Sequence, residues 1–151
     1  MDDVLAALRG AFEANGWHGP TVRASVRGVS AREAARKPAR AHHSIHELVD
    51  HIAYWEATAL RRYLLPASPR QERGDWKPPA VSFAESVERM EEVHRALMKA
   101  VKALRDEDLD RPVKTAAAKT RPLGEVLHGV AAHDAYHAGQ IRLTRKLLRG
   151  R

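Results

Sequence analysis

One apolar stripe with helical spacing constrains the fold of this chain more than any other feature of its sequence. Between residues 83 and 104 the stripe recurs at alternating steps of four and three, which places its members on one face of an α-helix. Its members are Phe83, Val87, Met90, His94, Leu97, Val101 and Leu104. A helix with one such face packs against neighbouring helices, so the stripe predicts a helical bundle.

Capping residues and helix breakers divide the rest of the chain. Ser44 with Glu47 and Ser82 with Glu85 have the spacing of capping boxes, in which each side chain bonds the backbone of the other's turn. Long helices are predicted at about 2–15, 44–65, 82–104 and 122–148, and short ones at 21–27 and 30–36. No segment alternates as a strand does. The predicted fold is an all-α four-helix bundle, one domain over residues 1–151, with short extra helices between the first and second long helices.

The composition excludes several classes of protein. The chain has no cysteine, which excludes disulfides, thiolate-bound zinc, iron–sulfur clusters and a cysteine nucleophile, and which suits a reducing compartment. No apolar run approaches the length of about 20 residues that a membrane span needs. The N-terminal segment carries two acids where a secretory signal has basic residues. We therefore expect a soluble, cytoplasmic protein with no membrane partner.

The net charge of +7 leaves two interpretations of the basic C-terminal run open. The run contains Arg142, Arg145, Lys146, Arg149 and Arg151. Cations in the last turns of a helix offset its dipole, whereas a basic surface can also attract nucleic acid. Only 5% of the residues are aromatic, so the stacking side chains of single-strand binders are scarce. We favour the structural interpretation and do not expect nucleic acid as a partner.

Three histidines occupy positions where a bundle would place apolar side chains. His133 and His137 are four residues apart on the predicted seam of the last helix, Val126, Val130, His133, His137 and Ile141. His51 lies on the seam of the second long helix with Leu48, Trp55 and Ala59. Each histidine can also be an ordinary hydrogen-bonded core residue. Burying an unpaired polar ring costs about 1–3 kcal/mol, and one shared metal ion would remove that cost.

The remaining histidines are weaker candidates. His94 lies on the stripe of the third long helix and is a candidate fourth ligand or pocket residue. His42, His43, His46 and His128 are expected to be exposed, because they lie in a loop or on the polar side of a helix.

Two segments resemble a known family. HSIHELVDHIAYWE, which ends at Glu56, and GEVLHGVAAHDAYHAGQI, Gly124 to Ile141, resemble the DinB/YfiT-like superfamily of four-helix bundles, which are often dimeric and carry a three-histidine metal site. The resemblance covers nearly the whole chain. It implies metal ligation by His51, His133 and His137, followed by the family's Gly139 and Gln140. The start of the last helix departs from the family, since Arg-Pro-Leu-Gly replaces Thr-Leu-Gly-Glu.

The resemblance also implies a range of activities. Relatives include S-transferases and isomerases that use bacillithiol, mycothiol or glutathione, and others are regarded as metal-dependent hydrolases. Three neutral imidazoles leave the charge of a zinc or nickel ion uncompensated, so the ion would activate a thiol cosubstrate or water against a small-molecule substrate. The expected protein is a homodimeric enzyme of the transferase or hydrolase type. The alternative is a non-catalytic metal-binding bundle with a structural, stress-response or regulatory role, closed by a fourth ligand such as His94.

Several residues near the histidines are candidates for supporting roles. Asp134 can orient an imidazole, and Gln140 lies one turn after a predicted ligand, within reach of a substrate. Tyr54 and Trp55 either line the pocket or belong to the core. Glu47 lies one turn before His51, although its capping role already accounts for it. Gly139 is expected to permit close helix packing, and no general base is predicted.

Overall fold

Long helices form the frame of the protein. The computed structural model describes residues 1–14, 16–17, 19–39, 43–66, 74–115 and 117–150. Within these ranges the helices are α1 (Asp2–Phe12), α2 (Val22–Val26), α3 (Ala31–Ala35), α4 (Ile45–Ala59), α5 (Phe83–Lys102) and α6 (Leu123–Arg149). A π-helical turn, Leu60–Leu64, continues α4, and a 3₁₀ turn, Asp106–Asp110, follows α5. The predicted all-α bundle with two short helices after the first long one is confirmed.

Side-chain caps determine where the helices begin. Ser44 and Ser82 each accept a bond from a backbone N–H of the first turn, and Glu47 and Glu85 each accept one from the serine N–H in return. Both predicted capping boxes are therefore present. At the other end of the chain, Gly150 caps the C-terminus of α6, and its φ of 69° lies in the left-handed region that favours glycine.

A small β-hairpin contradicts the prediction that the chain has no strands. β1 (Pro112–Lys114) pairs antiparallel with β2 (Thr120–Pro122), with Val113 opposite Arg121. Three-residue strands are too short to produce a visible alternation of polar and apolar residues. Tertiary contacts hold the hairpin, because Val113 is buried and Arg62 donates to the carbonyl oxygen of Lys114.

The core lies where α4 packs against α5 and α6, and where α1 packs against α6. The predicted α5 stripe faces this core: Phe83, Met90, His94, Leu97 and Val101 are buried. In the described part of the chain, no helix combines the length and the apolar character that crossing a bilayer requires.

In the first half of α6 the buried face is displaced from the predicted seam by about one residue, or about 100° around the helix, whereas His137 and Ile141 of that seam are buried as predicted. The buried positions are Leu123, Leu127, Ala131, Asp134, His137, Ala138, Ile141 and Thr144. Val126, Val130 and His133 of the predicted seam are only half-buried. An aspartate therefore occupies the middle of the buried face, and of the histidine pair only His133 lies at its edge.

Candidate metal centre

The three predicted histidines converge at the contact between α4 and α6. The Nε2 atom of His51 lies 3.1 Å from Nε2 of His133, and Nε2 of His137 lies 3.1 Å from the same atom. Spacing of one turn brings His133 and His137 together on α6, and the packing of α4 across α6 adds His51. The ligand atoms all lie within 4.8 Å of one another, so the group can hold a metal ion.

The opposite ring nitrogen of each histidine faces an oxygen acceptor. Nδ1 of His51 lies 2.6 Å from Oδ1 of Asp75, and Nδ1 of His137 lies 2.7 Å from Oε1 of Gln140. Nδ1 of His133 faces Oδ1 of Asp134 at 3.8 Å, too far for a hydrogen bond. An oxygen acceptor favours the tautomer with its proton on Nδ1, which leaves the Nε2 lone pair free. The Nε2 lone pairs of His51 and His137 therefore both point at Nε2 of His133.

Burial keeps two of these histidines neutral. It lowers the pKa of His137 to about 4, and the neighbouring His133 and His51 contribute in the same direction. Burial also lowers the pKa of His51, although Asp75 opposes the shift. Neutral imidazoles are the form that binds metal.

The donor set fits a divalent cation. Nε2 of His133 carries at most one proton, so it cannot make full hydrogen bonds to both neighbouring Nε2 lone pairs at 3.1 Å, whereas a cation between the three nitrogens would satisfy all of them. Ligands at the usual zinc–nitrogen distance of about 2.0–2.1 Å in a tetrahedral site lie about 3.3 Å apart. The observed spacing is close to that value. His133 is 28% exposed, whereas the other two are nearly inaccessible, so the group opens to solvent at His133.

A loop supplies two residues of the site that the sequence did not reveal. Asp75 accepts hydrogen bonds from His51 and, through Oδ2, from Nε1 of Trp55 at 2.9 Å. The ring of Trp76 stacks on His51 at a centroid distance of 3.8 Å, and His43 stacks on the other side of Trp76 at 3.6 Å. The loop was predicted only as a connection, because its prolines and glycine give no periodic signal that could indicate which side chains turn inward.

A second buried polar cluster adjoins the metal centre. Glu56 is fully buried, and its Oε1 accepts a hydrogen bond from Nδ1 of His94 at 2.7 Å. Burial, followed by the charge of Asp134, raises the pKa of Glu56 well above its ordinary value. Oε2 of Glu56 and both oxygens of Asp134 have no N–H or O–H donor among the described residues unless Glu56 is protonated. We conclude that the Glu56 carboxyl is protonated and donates a hydrogen bond to Asp134. Burial also raises the pKa of Asp134.

His94 lies in the core, separate from the three-histidine group. Its ring stacks on Phe12 at 3.7 Å, and its Nδ1 bonds Glu56. His94 is not part of the group that can hold a metal, so the structure does not support its prediction as a fourth ligand.

The prediction that the other histidines are exposed to solvent is correct only in part. His46 is buried, and its Nε2 lies 2.9 Å from Oγ of Ser86, so the prediction that it is exposed is wrong. His43 is half-buried against Trp76, and His128 is exposed as predicted. His42 lies outside the described residues.

The remaining candidates take different roles. Glu47 bonds the Ser44 N–H and Lys37 and makes no hydrogen bond to His51. Together with Tyr54 it lines a cavity of about 90 Å³ between α4 and the Asp75 loop. Gln140 accepts from His137 and donates to the hydroxyl of Tyr136 at 2.9 Å, so it contacts a histidine of the group directly.

Two cations of the C-terminal run fasten α6 to the α2–α3 segment. Arg145 and Arg149 both pair with Glu33. Arg145 also donates to the carbonyl oxygens of Arg27 and Gly28. These bonds support the structural interpretation of that part of the run.

Comparison with known proteins agrees with this site. A family model described as the DinB superfamily matches residues 17–141, a range that contains all three histidines of the group. A search of curated proteins gave no match.

Proposed function

The chain belongs to the DinB superfamily, and from that premise we propose that it is an enzyme that binds one divalent cation, zinc or nickel, through His51, His133 and His137. In this proposal the protein activates a thiol cosubstrate, or else water, for attack on an electrophilic small molecule. One observation carries the proposal: three Nε2 atoms converge while every Nδ1 atom faces an acceptor oxygen.

The residues of the site have different roles in this proposal. The histidines provide three neutral donors, and Asp75 and Gln140 fix the rings of His51 and His137 so that their Nε2 atoms stay aimed at one point. A divalent cation bound by neutral ligands supplies Lewis acidity, which lowers the pKa of a water or thiol that joins it. The partial exposure of His133 supports access for that molecule.

The sequence favours an external thiol as the nucleophile in a transfer reaction. The chain has no cysteine, so a sulfur nucleophile must arrive with a cosubstrate. Its net charge of +7 favours the approach of an anionic one. The alternative, a structural or regulatory bundle, would need the site closed by a further ligand, and His94 is not placed to provide it.

Metal analysis of tag-free protein tests the binding site. We expect about one equivalent of metal in the parent chain and none in a His133→Ala, His137→Ala double variant. His128→Ala is the matched control, because that histidine is on the same helix but exposed. The proposal would be contradicted if the parent contained no metal and if neither chelator nor added ions changed its thermal unfolding temperature.

A second experiment tests catalysis separately. The metal-loaded parent and the double variant are compared for consumption of electrophiles in the presence of anionic low-molecular-weight thiols and in buffer alone. Turnover in the parent only, dependent on thiol, supports S-transfer, and thiol-independent turnover supports hydrolysis. A loaded parent no faster than the double variant would favour the non-catalytic alternative.

A further inference from the structure

The second half of α6 and the neighbouring α3 segment share a strongly basic surface. Arg149 lines one surface depression with Arg32 and Arg36, and it lines another with Arg142 and Lys146. The depressions therefore join into one continuous surface, which we call the basic face. It consists of the exposed residues Arg32, Arg36, Arg142, Lys146 and Arg149.

Almost no carboxylate offsets the charge of the basic face. Glu33 is the only acidic residue within residues 19–39 and 135–149, and it already pairs with Arg145 and Arg149. The other four cations of the face make no ion pair with a carboxylate of the described residues. The face and Arg145 thus bring six positive charges together against one carboxylate, which accounts for most of the net charge of +7. Such a surface attracts anionic partners.

Two exposed leucines lie beside these cations on α6. Leu143 and Leu147 are 58% and 56% exposed and one turn apart, and each directly follows a cation of the basic face. The exposed side of the helix continues at Gly139, where an added Cβ would meet nothing within 4 Å. Packing inside the bundle therefore does not require a glycine there, contrary to the expectation from the sequence. Exposed apolar side chains beside basic ones are typical of helices that bind at the surface of a bilayer.

We propose that the basic face and the two leucines dock the protein on an anionic phospholipid surface, with the second half of α6 parallel to the membrane plane. The cations contact lipid phosphates, and Leu143 and Leu147 enter the region between the headgroups. Nucleic acid also presents phosphates, but exposed leucines gain nothing on a phosphate backbone, and the basic face includes no aromatic side chain to stack on a base. The leucines therefore favour lipid as the partner.

Docking at a surface is compatible with the absence of a spanning segment. The sequence predicts no membrane partner because no apolar run is long enough to cross a bilayer, whereas surface binding needs only cations and shallow apolar anchors. Each Lys or Arg near an anionic surface strengthens binding about fivefold. Burial of a leucine that is about half exposed contributes a similar factor. Two cations and two leucines are therefore enough for an affinity that can be measured.

Vesicle co-sedimentation of the full chain tests the docking. Vesicles of phosphatidylcholine alone are compared, at physiological ionic strength, with vesicles in which about a third of the lipid is phosphatidylglycerol. We expect binding to the anionic vesicles only. The double variant Arg142→Gln, Lys146→Gln should bind them about 25-fold more weakly. A parent that stays in the supernatant, or one that binds both kinds of vesicle equally, would overturn the proposal.

A matched control separates this surface from net charge. Lys99→Gln, Lys102→Gln removes two exposed cations from α5, outside the basic face, and should bind within about twofold of the parent. Circular dichroism checks that both double variants keep the helical content of the parent. Equal losses in the two double variants would show that overall charge alone governs binding.

The leucines distinguish lipid from nucleic acid. Leu143→Ser, Leu147→Ser should weaken binding to the anionic vesicles about 25-fold without changing the charge of the chain. Unchanged vesicle binding in this variant would contradict the proposal. So would a parent that binds duplex DNA more tightly than the anionic vesicles at equal phosphate concentration, since the basic face would then be a nucleic-acid surface.

A site-specific probe remains informative if a double variant does not fold. The chain has no cysteine, so Leu147→Cys and His128→Cys each provide a single thiol for an environment-sensitive fluorophore. Both positions are exposed on α6, but only residue 147 lies beside the basic face. Anionic vesicles should shift the emission to the blue at residue 147 and not at residue 128, with or without a metal ion. A shift at both positions, or at neither, would show that the docking surface is not this one.

Discussion

The substitution Asp75→Asn removes the negative charge of the carboxylate that accepts a hydrogen bond from His51, and it changes only one side-chain atom. Asp75 accepts from His51 through Oδ1 and from Trp55 through Oδ2. An asparagine has only one acceptor oxygen. If that oxygen faces His51, the amide NH₂ opposes the Trp55 N–H. If it faces Trp55, the NH₂ forces the His51 proton from Nδ1 to Nε2, where the lone pair is needed for metal. Either orientation costs metal affinity.

The expected loss is about 10- to 100-fold, the usual effect of removing a partner that orients a metal-bound histidine, or about 1.4–2.7 kcal/mol. Competition against a chromophoric chelator measures the metal Kd of the parent and the variant. Asp50→Asn is the control, because Asp50 lines the same cavity but pairs with Arg89. A Kd for Asp75→Asn within twofold of the parent would refute the argument that this carboxylate positions His51.

Three further predictions follow from buried and capping groups. Because burial lowers the pKa of His137 to about 4, its ring in the metal-free protein should stay neutral as the pH falls from 7 to 5, as an NMR titration of its ring protons would show, and a midpoint near 6.5 would contradict this. Burial raises the pKa of Glu56, so the folded metal-free protein keeps a proton that the unfolded chain releases above pH about 4.5. Glu56 should therefore contribute stability that falls as the pH rises, so the unfolding free energy of the parent minus that of Glu56→Gln, which retains a donor for Asp134, should decrease with pH in urea titrations; a difference that does not change with pH would show that the proton lies elsewhere. Ser82→Ala should lower the unfolding free energy by about 1 kcal/mol in the same assay through loss of the α5 cap, whereas Ser30→Ala, at a five-residue helix, should cost less.

The helix starts could be predicted from sequence because their causes are local. Ser44 and Ser82 bond backbone groups only three residues away, so both partners of each capping box can be recognised from the spacing of serine and glutamate in the sequence. The β-hairpin has no such local cause. Its position depends on the burial of Val113 and on Arg62, which donates to it from a helical turn 52 residues earlier.

The histidine group could be predicted in part for the same reason. Helical spacing places His133 and His137 together, and the apolar neighbours of His51 place it on an inward face. Asp75 could not be found this way, because a loop without periodicity takes its conformation from the residues it contacts.

Two buried acidic residues, Asp134 and Glu56, show why burial is hard to predict from hydrophobic periodicity when polar residues lie in the core. The predicted seam of the last helix runs through His133 and His137 and leaves out Asp134, because a carboxylate usually faces water. Glu56 was overlooked on the same grounds, although it follows Leu48 and Ile52 at regular helical steps. That spacing was a signal for its burial.

The three histidines are not held equally, and this difference bears on how fast ligands exchange at the site. His51 is fixed by Asp75 and by the stacked Trp76, and His137 is fixed by Gln140. His133 has no hydrogen-bond partner for Nδ1 among the described residues and is the most exposed of the three. Ligand exchange should therefore begin at His133, which makes α6 the side from which an ion is released and an incoming donor takes its place.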